Sequence, residues 1–211
     1  TNGGNNWEIS TSGTNADLTS VYFNDASTGY AVGYLGTILK THDGGLNWKI
    51  LQSGTTTGLT SVFFPDPYTG FAVDNGGNIL KTINAGENWS VIYTNTNGDL
   101  RSIYFTDFNT GYAVGENGTI LKTINGGTSW TIQSVGLNIW LSAITFTDAN
   151  NGYAVGRDFF GGIVLKTTDS GTSWNSTSIG DADLLTAVSF PDANTGYIVG
   201  SYGAMENSLK P

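Results

Sequence analysis

Few residues in this chain have types suited to chemistry. Asp74, Glu116 and Asp158 are carboxylates outside any repeated position. A glycoside hydrolase needs two carboxyl groups ~5–10 Å apart, one of them with a raised pKa. The sequence pairs none of the three with another. Arg101 and Arg157 are the only arginines, each a fork of N–H donors able to grip a carboxylate. His42 is the sole histidine and there is no cysteine. A His-rich or thiolate metal cluster therefore has no ligands, no nucleophile relay can be completed, and His42 reads as a solvated turn residue. No metal and no cofactor is expected.

A fourth candidate is the phrase "KTHDGGLNW", Lys40 to Trp48, in which a hydroxyl, a carboxylate, two glycines and an indole lie close together. It returns as "KTINAGENW" (Lys81–Trp89), "KTINGGTSW" (Lys122–Trp130) and "KTTDSGTSW" (Lys166–Trp174), and a clipped copy, "NGGNNW" (Asn2–Trp7), opens the chain. A reactive site is expected once, not five times, so the phrase reads as scaffold. Thr41, Asp43, Gly45 and Trp48 make up its first full copy. The later copies are Thr82, Asn84, Gly86, Trp89; Thr123, Asn125, Gly127, Trp130; and Thr167, Asp169, Gly171, Trp174. Only Asn2 and Trp7 represent it at the start.

These turns belong to a repeat. The tryptophans at 7, 48, 89, 130 and 174 are spaced 41, 41, 41 and 44 residues apart, and so are Leu18, Leu59, Leu100, Leu141 and Leu185. One unit, Leu18–Ser53, holds four short β-rich runs: strand a "LTSVYF", b "GYAVG", c "TILKT" and d "NWKILQS". The a–b turns "NDASTG", "PDPYTG", "TDFNTG", "TDANNG" and "PDANTG" carry Asp and Gly, which is turn chemistry. Four antiparallel strands recurring every ~40 residues are the sequence form of a β-propeller blade. The phrase falls in the c–d turn. There Thr41 and Asp43 are expected to accept backbone N–H groups, the glycines to take positive φ, and Trp48 to wedge between neighbouring blades.

The fold expected is all-β, a single propeller domain over 1–211 with five four-stranded blades at about 18–53, 59–94, 100–135, 141–178 and 185–208. Residues 1–12 supply the fourth strand of the last blade. This would close the ring and remove two exposed sheet edges.

The repeated turns resemble the Asp-box, or BNR, repeat, Ser/Thr-x-Asp-x-Gly-x-x-Trp. With "GYAVG" and "GTILKT" the unit is most similar to the photosystem II assembly and stability factor branch. The resemblance implies a propeller whose Asp-boxes are structural and lie away from the active face, although those factors are seven-bladed. Sialidases share the motif but are described by an arginine triad, which two arginines cannot build. Xyloglucanases with Asp-boxes are much larger, with two propellers.

Lys plus Arg is 8 against 17 Asp plus Glu, a net charge of −9. Such a balance disfavours nucleic acid and anionic membranes, whose phosphates need a basic footprint, and no apolar run approaches the ~20 residues that span a bilayer. The Gly-, Asn-, Thr- and Ser-rich composition suggests a secreted or cell-surface bacterial protein, with the periplasm as the alternative, and one module of a larger chain.

Function is expected where the copies differ. The fourth b–c loop, "GRDFFGG" (Gly156–Gly162), holds the three extra residues of the 44-residue step, with Arg157, Asp158, Phe159 and Phe160. Trp140 is the one tryptophan outside the repeated position, and Arg101 replaces a Thr or Ser at the start of strand a in the preceding blade. The expected ligand-binding sector is therefore Trp140, Arg157, Asp158, Phe159, Phe160 and Arg101, on a non-catalytic module recognising a protein or a glycan. The alternatives are a photosystem-type assembly chaperone, a five-bladed lectin, and a glycoside hydrolase with an unrecognised carboxylate pair.

Overall fold

The computed structural model describes residues 3–93, 96, 98–136, 138–180 and 184–207. Blade 1 is β1 (Leu18–Phe23), β2 (Gly29–Gly33), β3 (Thr37–Thr41) and β4 (Lys49–Leu51). Blade 2 is β5 (Leu59–Phe63), β6 (Gly70–Asp74), β7 (Asn78–Thr82) and β8 (Ser90–Tyr93). Blade 3 is β9 (Leu100–Phe105), β10 (Gly111–Gly115), β11 (Thr119–Thr123) and β12 (Thr131–Ser134). Blade 4 is β13 (Trp140–Phe146), β14 (Gly152–Arg157), β15 (Gly162–Thr167) and β16 (Asn175–Ile179). Among the described residues, blade 5 has three strands, β17 (Leu185–Asp192), β18 (Thr195–Gly200) and β19 (Met205–Asn207). Each sheet is an antiparallel meander in chain order.

The second strand of each blade explains its own sequence. β2, β6 and β10 are buried at every position, so "GYAVG" shows no polar alternation. Its leading glycine is required by close approach. A Cβ on Gly29 would sit 2.6 Å from the Phe23 ring, and one on Gly111 2.5 Å from the Phe105 ring.

Blades join through rings. Tyr30 of β2 stacks on Phe64 at 3.9 Å, Phe71 on Phe105 at 4.3 Å, Tyr112 on Phe146 at 4.3 Å, and Tyr153 on Phe190 at 4.3 Å. The Asp-box tryptophans pack into the seams as expected, and Trp130 stands edge-on to Phe71 of the preceding blade at 6.3 Å. Trp89, Trp130 and Trp174 stand edge-on to Phe64, Phe105 and Phe146 of their own blades. The strand-b aromatic fills the deeper part of each seam, since strand b is buried while the indole starts the outermost strand.

A second tie crosses each seam. Lys40 Nζ donates to the Ala85 carbonyl at 2.6 Å, Lys81 to Gly126 at 2.6 Å, and Lys122 to Ser170 at 2.6 Å. Each acceptor lies in the next blade's Asp-box, and each ammonium rides over the strand-b ring of its own blade. The Tyr30 and Tyr112 hydroxyls donate to the same carbonyls, and burial pushes both phenols up to about 12.

The ring does not close through the N-terminal strand. Trp7 and Ile9 are exposed, and residues 7–12 pair with no sheet. Ser10 Oγ instead donates to the Gly45 carbonyl of blade 1, at the far end of the arc from blade 5. Blade-to-blade packing runs from β1 through β5, β9 and β13 to β17, and blades 1 and 5 both leave an apolar face uncovered. The repeat supplies blades in succession, but the angle between blades decides whether the last meets the first.

Candidate functional site

The Asp-box turns form as devices of local structure. Thr41 Oγ1, nearly fully buried, accepts the Asp43 and Gly45 N–H groups, and Asp43 Oδ1 accepts that of Asn47. Gly44 and Gly45 take φ of 71° and 90°. The Asn47 and Thr41 bonds bring the Asp43 carboxyl down to about 2, and the same arrangement with Ser173 brings Asp169 to about 2. Asn84 and Asn125 fill the Asp position with their amide oxygens. In the opening copy Gly3 and Gly4 take positive φ as well, while Asn2 lies outside the described residues.

The two faces of the arc differ. Gly44, Ala85, Gly126 and Ser170 donate to Ser27, Tyr68, Asn109 and Asn150, which places c–d turns beside a–b turns. Tyr34, Asn75, Glu116 and Ser201 donate to Asp17, Gly58, Asp99 and Leu184, which places b–c turns beside the linkers entering strand a. The variable loops therefore gather on the second face. The repeated a–b aspartates cap their own turns: Asp25 accepts from Ser27 and Thr28, Asp107 from Asn109 and Thr110, and Asp148 from Asn150 and Asn151.

The three-residue insertion in blade 4 builds the site. It lengthens the β14–β15 hairpin, so Arg157 pairs across strands with Trp140 at the start of β13. The guanidinium carbon lies 4.5 Å from the indole centroid. Asp158 Oδ1 accepts the Phe160 and Gly161 N–H groups, which makes it the hairpin's cap. Phe159 and Phe160 do not fold back over the blade. They are 93% and 84% exposed and meet edge-on at 5.5 Å. Asn138, Trp140, Arg157, Asp158 and Phe159 line a depression of about 220 Å³, which Phe160 does not enter.

Arg101 belongs to a neighbouring cluster. Its Nη2 donates to Asp99 at 2.8 Å and to Glu116 at 3.0 Å. Burial, with Glu116 and Asp74 nearby, outweighs Arg101 and pushes the Asp99 carboxyl up. The clusters adjoin through backbone, since Gly118 of the Glu116 turn donates to the Ile139 carbonyl just before Trp140. Sequence reasoning missed Asp99. Its closeness to Glu116 is a cross-strand relation, since β9 and β10 pair Leu100 with Gly115. A raised carboxyl beside a second carboxylate is the start of a hydrolytic pair, but one guanidinium nitrogen holds both. Asp74 is buried and spent on the Gly76 and Asn78 N–H groups. Among the described residues, no three His, Asp or Glu side chains gather as a metal site, and no helix is long and apolar enough to cross a membrane.

Successive four-stranded blades, stapled by Asp-box turns and carrying an aromatic–arginine surface on one face, define a repeat-built β-propeller. A family model described as photosynthesis system II assembly factor YCF48 matches residues 2–98 and 84–184, and the chain belongs to that family. Among solved structures it is similar to YCF48 bound to D1 peptide, with TM-score 0.75 and 20% identity over 93% of this chain and 64% of that one. YCF48 from Cyanidioschyzon merolae is matched with TM-score 0.74 and 20% identity over 94% of this chain and 68% of that one. An ancestral GH74 enzyme is matched with TM-score 0.70 and 15% identity over 95% of this chain and 32% of that one. The chain thus spans just under two thirds of the first of these. No curated protein matches it.

Proposed function

We propose that this chain is a non-catalytic protein-recognition module of the assembly-factor type, which holds an extended peptide segment of its partner against the Trp140–Arg157 surface. The observation that carries this reading is the outward display of Phe159 and Phe160 beside the stacked Trp140–Arg157 pair. Exposed aromatics next to an arginine are the composition of binding hot spots. Size favours a peptide over a glycan or small molecule. The depression of about 220 Å³ is below the 300–1,000 Å³ of typical small-ligand pockets and suits one apolar side chain. The family relative solved with a D1 peptide supports the same class of partner.

The test is a peptide array and a glycan array probed with the intact chain and with a Trp140→Ala, Phe159→Ala, Phe160→Ala variant of unchanged circular dichroism. The expected result is retention of peptides bearing large apolar side chains and roughly a 30-fold or greater loss in the variant, the scale of a removed hot spot. Peptide binding unchanged in the variant, or binding to glycans alone, overturns it. We also propose, from the Gly-, Asn-, Thr- and Ser-rich composition of low overall charge, that the module works outside the cytoplasm. Recovery of the native protein in a cytosolic fraction would refute that.

A further inference from the structure

The face that carries the Asp-box turns has its own exceptions, in blades 2 and 3. Tyr68, Ile83, Phe108 and Ile124 are 68%, 73%, 52% and 72% exposed. At the same turn positions blade 1 has Ser27, His42 and Ala26, and blade 4 has Asn150, Thr168 and Ala149. Both blades are flanked on each side, β5 packing against β1 and β9, and β9 against β5 and β13. Ala85, two residues after Ile83, donates to the Tyr68 carbonyl, and Gly126, two residues after Ile124, donates to Asn109 beside Phe108. Lys81 joins the two blades through the Gly126 carbonyl at 2.6 Å. These bonds gather the four turns around one seam. Taking roughly 150–250 Å² for a whole aromatic side chain, the four leave on the order of 400 Å² of apolar surface in water, the size at which a patch marks an interaction site.

The charges that reach water around this patch are acidic. Asp25 and Asp43 in blade 1, Asp107 in blade 3, and Asp148 and Asp169 in blade 4 are exposed. The ammonium groups of Lys40, Lys81 and Lys122 are instead turned to carbonyls in the seams, and Glu87 is offset by Lys40 and Lys49. Asp66, beside the patch, has an oxygen to spare. Its Oδ1 accepts the Tyr68 and Thr69 N–H groups, while Oδ2 is shut from water and receives no hydrogen bond from the described residues. Thr106 donates to Oδ2 of Asp107, but its counterpart before Asp66 is Pro65, which has no donor. An unsatisfied carboxylate oxygen carries a cost that a cationic donor relieves.

We propose that the turns of blades 2 and 3 form a second docking surface, which receives an amphipathic helix of a protein partner with Lys or Arg flanking its apolar stripe. A helix fits because its backbone is satisfied internally. The turns present side chains, and their N–H groups are spent on Asp66, Asp107 and neighbouring carbonyls, so an extended segment finds no ladder to join. The apolar stripe covers Tyr68, Ile83, Phe108 and Ile124, and the flanking cations meet the aspartates. A second copy of this chain fits less well, since it brings acidic turns against acidic turns. The surface lies on the face opposite the Trp140–Arg157 pair, so the module holds two segments at once.

The probe is a labelled amphipathic peptide of Leu and Lys, about 18 residues or five helical turns long, titrated with the intact chain and read by fluorescence anisotropy. Beside it run a Leu–Glu peptide of the same pattern and a Leu–Lys peptide of scrambled order. The variant is Tyr68→Ser, Ile83→Thr, Phe108→Ala, Ile124→Thr, which takes residue types that blades 1 and 4 carry at these positions and is used once its circular dichroism matches the unmodified chain. The expected result is binding of the patterned Leu–Lys peptide, at least tenfold weaker in this variant and unchanged in Trp140→Ala, Phe159→Ala, Phe160→Ala. The two control peptides should also bind at least tenfold more weakly. No binding, equal binding of either control peptide, or full affinity in the four-residue variant overturns the proposal. So does a loss confined to the Trp140 variant, or light scattering that shows a dimer of the unmodified chain abolished by the four substitutions, which would make the occupant a second copy.

Discussion

Lys40 lies across the face of Tyr30, its Nζ 5.7 Å from the ring centroid, and both side chains donate to the single carbonyl of Ala85 in the next blade. Lys122 and Tyr112 treat Ser170 in the same way. The lysine in "ILKT" is therefore a seam residue, held by a charged hydrogen bond and by the ring beneath it.

Lys122→Met should cost about 1.5–3 kcal/mol, the worth of a charge-assisted hydrogen bond, read from urea denaturation. Lys166→Met, at an exposed counterpart position, should stay within about 0.5 kcal/mol. Equal losses would contradict the staple.

The turn carboxylates make the fold sensitive to acid. Asp25, Asp43 and Asp169 titrate at about 2 when folded, below the ordinary 3.8. Their contribution is complete above pH 3.8 and is lost as the pH falls toward 2. Asp43→Asn should keep the turn, as Asn84 does in blade 2, and flatten part of the decline in Tm between these limits. Asp43→Ala should lower Tm at neutral pH because the Asn47 N–H loses its acceptor.

Two adjacent glycines serve different ends. A Cβ on Gly126 meets only ordinary contacts, the nearest at 3.5 Å, so Gly126→Ala should cost about 1–2 kcal/mol for its positive φ alone. On Gly127 the Cβ would lie 2.4 Å from buried Phe71, so Gly127→Ala should cost a further 1–3 kcal/mol from overpacking. Thermal melts of the two variants measure the difference.

Arg157→Lys separates charge from stacking at the recognition surface. A planar guanidinium covers the indole of Trp140 and an ammonium does not. The variant should keep the melting temperature and lose roughly tenfold in peptide affinity, about 1.4 kcal/mol. Full affinity in Arg157→Lys would leave positive charge alone as the requirement.

Sequence by itself determined the blades, because each carries its own signals. Alternating and continuous apolar runs specify strands, and Thr, Asp or Asn and Gly at set offsets specify turns that close on their own side chains. Those interactions span only a few residues, and five repetitions made them legible. The outlying loop was legible too, since a repeat shows its own exceptions. Tertiary structure alone decided which ring crosses each seam, that Arg101 is held between Asp99 and Glu116, and that Phe159 and Phe160 point outward. It also decided that the arc stays open. These depend on the angle between sheets and on strands pairing across the blade, quantities that no spacing along the chain encodes.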